Sequence, residues 1–143
     1  MEHPTETSEL IELFQQQLAD DPATLLKHFS ALLNHGDAHR RELTKVFKPC
    51  LDGGLPADGA SLAQGLAWLA QGDLRDVLSQ VDQPTLLLHG AADPLMPLAA
   101  ARRMKGLLSA GSLSVAEDAA HGFFVSRPEA LVAELVEFCG GGA

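Results

Sequence analysis

The sequence has no long apolar segment and no basic leader. None of its apolar runs approaches the roughly 18–20 residues that cross a bilayer as a helix. The first six residues are acidic and polar and do not resemble a secretory signal. We therefore expect a cytoplasmic protein without a membrane partner.

Cysteine is scarce as well. The two cysteines, Cys50 and Cys139, lie far apart and form no Cys-x-x-Cys or zinc-binding pattern. Two reduced cysteines packed inside a cytosolic protein are favoured over a disulfide. A zinc site built from His89, Asp93 and His121 lacks the ligand spacing that such sites use. We expect no metal and no other cofactor.

Positive charge is also in short supply. Ten Lys and Arg stand against 19 Asp and Glu, a net charge of −9, which argues against nucleic acid as a partner. Hydrophobic residues make up 46% of the 143 positions, and this composition favours one globular domain with a buried core. Four of the ten basic residues nevertheless fall within nine positions, at Arg40, Arg41, Lys45 and Lys48.

Residues 1–72 have helical periodicity and no strand pattern. Apolar residues recur at helical spacing in residues 9–19. Asp21 and Pro22 then predict a new helix, because Asp caps an amino end and Pro fits the first turn. That helix should stop at residues 34–36, and we expect Asp37 to cap a third helix that ends near residues 49–54. A fourth apolar stretch covers residues 62–69, so the pattern predicts a compact helical subdomain.

Residues 73–143 alternate between helices and strands. The expected order is a short amphipathic helix at 73–81, a strand at 85–89, a helix at 97–108, a weaker strand at 112–116 and a last helix at 128–138. The uninterrupted apolar run at 85–89 is bounded by Pro and Gly, which is typical of a strand buried on both faces of a parallel sheet. The alternation indicates an α/β fold in which helices connect parallel strands.

Two polar residues follow these strands. Asp93 lies in the loop after the first strand and His121 in the loop after the second, where open α/β sheets place their active sites. A carboxylate there can orient an imidazole that takes the proton from a nucleophile, and the chain order Asp then His suits such a triad. The alternatives are a turn aspartate before Pro94 and a structural histidine at 121. For His89, packing or a hydrogen bond within the loop is favoured over a role as a ligand.

The segments around these two residues carry a family resemblance. Residues 87–97 (Leu-Leu-His-Gly-Ala-Ala-Asp-Pro-Leu-Met-Pro) and 119–121 (Ala-Ala-His) resemble the acid and histidine segments of α/β-hydrolases. Residues 14–21, the Phe29 helix, Gly36, Arg41 and residues 73–75 are similar to the helical lid of one branch, the BioH-type carboxylesterases of the biotin pathway. Those enzymes hydrolyse the methyl ester of pimeloyl attached to acyl-carrier protein.

The resemblance covers roughly residues 10–139 and implies the C-terminal part of an α/β-hydrolase fold. Residues 1–72 would form the helical lid, and residues 73–143 would add two parallel strands with flanking helices to the core. The expected substrate is an acyl ester, possibly on acyl-carrier protein. In the family, the serine nucleophile and the oxyanion hole precede the lid, so we expect a truncated or split enzyme that is inactive alone. An N-terminal hydrolase half, or self-association through the open sheet edge, would complete it.

One near-match to the nucleophile motif exists at residues 59–63 (Gly-Ala-Ser-Leu-Ala). A nucleophile elbow needs a strand that runs into a sharp turn, and residues 53–58 are turn-forming instead. Ser61 is therefore interpreted as lying near the start of the lid's last helix.

The resemblance also implies binding residues. The lid stretch that faces the acyl chain corresponds to Phe29, Ser30, Ala31, Leu32 and Leu33, although a helix burying its apolar face would explain the same pattern. Arg41 and Lys45 match positions that receive acyl-carrier protein. They share a helical stripe with Lys48, and a solvated helix face is the alternative. Two other hypotheses about the function stay open: a non-catalytic module that binds acyl-carrier protein, and half of another α/β-hydrolase with a different substrate.

Overall fold

The computed structural model describes residues 6–53 and 59–141. Four helices come first in this part of the chain, and two strands then alternate with further helices. The elements are α1 (Glu6–Asp20), α2 (Pro22–Leu33), α3 (Arg40–Asp52), α4 (Gly59–Gln71), α5 (Arg75–Leu78), β1 (Thr85–Gly90), α6 (Leu98–Leu107), β2 (Gly111–Ala116), α7 (Phe123–Ser126) and α8 (Pro128–Gly140).

Local chemistry sets the start and the end of α2, as the sequence predicts. Asp21 is the N-cap: its Oδ1 accepts a hydrogen bond from the Thr24 amide at 3.1 Å. Pro22 occupies the first turn, where its missing N–H costs nothing. Beyond the C-cap residue Asn34, Gly36 adopts a φ of +88°, a conformation that side chains rarely allow.

The helical half, Glu6–Asp52 with Gly59–Gln71, shares its core with the loop after β1. Phe14 of α1 and Leu25 of α2 are buried against Leu95, which lies two residues beyond Asp93. Leu10, Leu18, Phe29, Leu32, Leu33 and Leu66 pack around this cluster. The loop after β1 is thereby anchored in the helical half. The domain boundary at residue 72 stays a prediction.

The strands β1 and β2 pair in parallel, in a register from Thr85 opposite Gly111 to Gly90 opposite Ala116. The helix α6 makes the crossover between them and contacts both strands. The predicted helix–strand–helix–strand–helix order is confirmed. Because the two strands run in the same direction, the loops that follow them lie at one edge of the sheet.

Several local predictions are wrong. The helix α3 begins at Arg40 rather than directly after Asp37, and it runs through Pro49 to Asp52. The helix expected at residues 73–81 is a single turn, α5, and the turn α7 was not foreseen. Cys50 and Cys139 are free, as expected, but both are exposed rather than packed.

No helix in the described ranges, 6–53 and 59–141, has the length and apolar character to span a membrane.

Candidate active site

Asp93 lies in the acid loop, defined here as residues 91–97, just beyond the end of β1. The residue is 9% exposed, and its Oδ1 accepts hydrogen bonds from the amides of Leu95 at 2.8 Å and Met96 at 3.0 Å. His89 adds a bond from Nε2 to the carbonyl oxygen of Met96 at 2.9 Å, so the hydrogen-bonding interpretation of His89 is confirmed. The loop thus fixes one carboxylate oxygen and leaves the other for a partner.

That partner is His121, in the histidine loop, defined here as residues 117–122, after β2. Its Nδ1 lies 2.8 Å from Oδ2 of Asp93, which confirms the expected proximity of the two side chains. The imidazole is 37% exposed, and no hydrogen bond reaches its Nε2 from the part of the chain that the structure describes. The arrangement leaves one ring nitrogen held and the other available to a reacting group.

Burial and hydrogen bonding act in opposite directions on Asp93. Burial raises the pKa of its carboxyl group, but the hydrogen bond from His121 and those from the Met96 and Leu95 amides outweigh it. The pKa of Asp93 therefore lies below its ordinary value, and the group is a carboxylate at neutral pH.

The pKa of His121 lies above its ordinary value. The hydrogen bond to Asp93 is the main cause, burial opposes it, and the negative charge of Asp93 adds to it. A carboxylate that stabilises the imidazolium in this way favours proton uptake at Nε2.

A glycine permits the close approach of the two loops. A Cβ at Gly90 would lie 2.4 Å from the carbonyl oxygens of Ala119 and Ala120. The Ala92 amide donates to that same Ala119 carbonyl at 3.0 Å, and Ala119 and Ala120 are fully buried. The backbone of the histidine loop therefore lies directly on the end of β1, beside the acid loop.

Known proteins share this architecture. A family model described as the alpha/beta hydrolase fold matches residues 10–128. The chain belongs to the α/β-hydrolase family. An esterase from Exiguobacterium antarcticum aligns with a TM-score of 0.78 at 24% identity, over 92% of this chain and 47% of that one. A bromoperoxidase from Bacillus anthracis aligns with a TM-score of 0.82 at 17% identity, over 91% of this chain and 48% of that one. At these identities the likeness concerns the fold.

Curated relatives add a narrower likeness within the family. The pimeloyl-[acyl-carrier protein] methyl ester esterase of Aromatoleum aromaticum is 40% identical over 116 residues, 81% of this chain and 46% of that protein. The enzyme of the same name from Vibrio vulnificus is 30% identical over 132 residues, 92% of this chain and 52% of that protein. The chain thus spans about half the length of these relatives. The predicted resemblance to BioH-type α/β-hydrolases is confirmed.

The five residues matched to an acyl-binding stretch lie on α2 of this α/β-hydrolase and do not line the cavity that Asp93 and His121 line. Phe29 makes an edge-to-face contact with Phe14, with ring centroids 6.0 Å apart. Leu32 and Leu33 also pack against the helical core, Ser30 donates to the Lys27 carbonyl, and Ala31 is exposed. Their contacts are those of a helix that buries its apolar face.

Arg41 and Lys45 lie on the exposed side of α3. Leu43, 1% exposed, and the half-buried Phe47 occupy the opposite side. Lys48 is paired with Asp52 at 2.8 Å, whereas Arg41 and Lys45 form no ion pair within residues 6–53 and 59–141. Two unpaired cations therefore face solvent on one helix.

Ser61 occupies the first turn of α4, as the sequence predicts. It lines a cavity between helices together with Phe14, Phe29 and Leu66, and this cavity differs from the one lined by Asp93 and His121.

Residues 6–53 and 59–141 contain no cluster of three His, Cys, Asp or Glu side chains that could hold a metal ion.

Proposed function

We propose that this chain supplies the acid and the histidine of a serine carboxylesterase. Asp93 orients His121, and His121 is the general base and acid. The observation that supports this role is the 2.8 Å contact between His121 Nδ1 and a carboxylate whose other oxygen is held by two backbone amides. A fixed carboxylate, a hydrogen-bonded imidazole and an open Nε2 are the geometry that such a pair needs.

The reaction proceeds by acyl transfer. His121 Nε2 takes the proton from a serine hydroxyl as its oxygen attacks the ester carbonyl, and Asp93 stabilises the imidazolium that forms. The imidazolium then returns the proton to the departing alkoxide, which leaves as an alcohol. Water, deprotonated by the same Nε2, attacks the acyl-serine. The imidazolium returns that proton to the departing serine oxygen, so the carboxylic acid is released and the serine is regenerated.

The nucleophile comes, in this proposal, from a segment outside the 143 residues. The sequence has no Gly-x-Ser-x-Gly elbow, and Ser61 lies on a helix beside a different cavity from that of Asp93 and His121. A strand ending in an elbow serine would have to bring its hydroxyl to His121 Nε2. The alignments cover only 46% and 52% of two relatives, which leaves room in those proteins for such a segment.

For the substrate, we propose a methyl ester of an acyl group carried on acyl-carrier protein. The support is the 40% identity, over 116 residues, to a protein named for that activity. Within this proposal, residues 1–72 are a lid and residues 73–143 belong to the core. Arg41 and Lys45 would bind the acidic carrier, and residues 29–33 would face the acyl chain. The assignment of residues 29–33 has the least structural support of these, because Phe29, Leu32 and Leu33 pack in the helical core.

The proposal is tested by esterase assays on the chain alone and on a chimera. In the chimera, this chain replaces the aligned 116 residues of the Aromatoleum aromaticum esterase. We expect no serine-dependent turnover of p-nitrophenyl esters by the chain alone and ester hydrolysis by the chimera, with Ser61→Ala changing neither. Turnover by the isolated chain that disappears in Ser61→Ala would contradict the proposal, because loss of the nucleophile in such triads costs about 10⁶ in kcat.

A further inference from the structure

Asp37 is a buried acidic residue that the proposed reaction leaves without a role. It lies in the turn between α2 and α3 and is 6% exposed. Its Oδ1 accepts a hydrogen bond from the His39 amide at 2.7 Å. Its Oδ2 accepts one from the Ala120 amide at 3.0 Å and one from Ser126 Oγ at 3.3 Å. The carboxyl group thus joins the helical half to the residue immediately before His121.

These contacts divide the two oxygens of Asp37 between the start of α3 and the histidine loop. One of its oxygens is used by the amide two residues ahead, and the other by an amide 83 positions away in sequence. Buried polar groups must be hydrogen-bonded, and bonds that involve a carboxylate are stronger than those between neutral groups. Removing this carboxyl group would leave the buried Ala120 amide without its acceptor.

A second bond holds the other side of His121. The Gly122 amide donates to the Leu33 carbonyl at 3.2 Å. The backbone on both sides of His121 is therefore bound by the end of α2 and the connection that follows it. A further bond, from the Ala38 amide to the Asp118 carbonyl at 3.0 Å, ties the start of the histidine loop to that connection.

The same turn also touches the acid loop. A Cβ at Gly36 would lie 3.0 Å from the Cβ of Ala92, the residue before Asp93. An added Cβ there would be closer than ordinary van der Waals contact, and the φ of +88° at Gly36 favours glycine for a second reason. Gly36 and Asp37 thus place one turn against both functional loops.

We propose that Asp37 is a positioning residue for the Asp93–His121 pair, holding the histidine loop through the Ala120 amide so that the imidazole meets the carboxylate. This inference rests on the proposed function, since it assigns a support to the pair used there. A misplacement of about 1 Å at a reacting group can cost about 10²-fold in rate. The bond to Ala120 therefore bears on catalysis as well as on stability.

The test is the titration of His121 followed by NMR in the 143-residue chain. The variants are Asp37→Ala and Asp37→Asn, and Asp82→Asn is the matched control, because Asp82 is exposed and its substitution changes the charge equally. We expect the pKa of His121 to fall towards its ordinary value in both Asp37 variants and to stay unchanged in the control. If Asp37 only stabilised the fold, its replacement would lower the free energy of unfolding without moving this pKa.

The charge of Asp37 must be separated from its positioning effect. The titratable and charged groups in or near the histidine loop are Glu117, Asp93, Asp37, His39 and the paired Asp118 and Arg127. Asp93 alone contributes a charge effect to the raised pKa of His121. In an Asp93→Asn background, Asp37→Ala should therefore produce no further fall. An equal fall in both backgrounds would assign the effect to the charge of Asp37 and overturn the proposal.

Two other outcomes are decisive. An unchanged His121 pKa in Asp37→Ala, with a fall in Asp93→Asn, would overturn the positioning role and leave the pair intact. If the His121 pKa fell in neither Asp37→Ala nor Asp93→Asn, the Asp93–His121 pair would be absent and the proposed function would fail as well.

Amide hydrogen exchange in the unaltered chain tests the bonds of Ala120 and Gly122 without any substitution, and a folded variant adds a comparison. In the unaltered chain we expect slow exchange at Ala120 and Gly122, and in folded Asp37→Asn about tenfold faster exchange at Ala120. Rapid exchange at both amides in the unaltered chain would overturn the proposal.

Discussion

At the scale of single residues, the pair of Asp93 and His121 makes stability depend on pH. The pKa of Asp93 is lowered, so its stabilising contribution is present above its ordinary pKa of about 3.9 and is lost as pH falls through the lower folded value. The pKa of His121 is raised, so its contribution is complete below about pH 6.5 and is lost as pH rises through the higher folded value. The stabilisation from the pair is therefore largest between these two limits.

The first prediction follows from the directions of these two pKa shifts. The loss of unfolding free energy in Asp93→Asn relative to the parent chain should be largest between about pH 4 and pH 6.5 and should shrink as pH rises through the titration of His121. Urea denaturation at several pH values measures it, with Asp82→Asn expected to show no such trend. A loss that stays constant from about pH 5.5 to pH 9 would contradict the coupling.

A second prediction concerns Gly90. The Gly90→Ala variant places a Cβ against two backbone carbonyls, so we expect a destabilisation of about 1–3 kcal/mol or more. Gly65→Ala is the matched control: it lies inside α4 with nothing within 4 Å of an added Cβ and should stabilise the chain by about 0.5–1 kcal/mol. Urea denaturation of both variants compares them, and equal effects would refute the close approach at Gly90.

At the scale of elements, the sequence predicts what local chemistry determines. The helix α2 follows from the Asp21 cap and Pro22, and β1 follows from its apolar run. The position of the pair follows from two parallel strands, because their carboxyl ends meet at one edge of the sheet. The role of Asp37 could not be predicted in the same way, since its partner at Ala120 is brought near by the fold. An acidic residue before a helix predicts a cap, and the bond from the His39 amide fits one, but the sequence does not indicate the second contact.

The surface of α3 gives the third prediction, which rests on the proposed carrier interaction. Arg41→Ala with Lys45→Ala should weaken binding of holo acyl-carrier protein, most strongly at low salt, because exposed charges are screened over about 10 Å at 0.1 M. The control is Arg102→Ala with Arg103→Ala, an equal charge change on the exposed part of α6. Fluorescence titration at two salt concentrations provides the comparison. Equal binding by both double variants would contradict the carrier-binding role of Arg41 and Lys45 and favour the alternative, a solvated helix face.

At the scale of the whole molecule, large apolar side chains remain exposed. Trp68 on α4 is 70% exposed, and Val132 and Val136 on α8 are 55% and 65% exposed. The apolar residues of β1 are only half-buried, although parallel strands are usually covered on both faces. Parallel strands that lack this cover need neighbours on their faces, and the chain spans about half the length of the relatives it matches. Both observations agree with the proposal that another segment completes the hydrolase.

The central claim is that His121, held by Asp93, performs the proton transfers of ester hydrolysis. The most direct measurement is kcat/KM of the chimera on the methyl ester of pimeloyl-acyl-carrier protein, compared with its His121→Ala and His35→Ala variants. His35 is exposed and lies in the turn after α2. We predict a loss of about 10⁴–10⁶-fold in His121→Ala and little change in His35→Ala. Activity retained in His121→Ala would contradict the account.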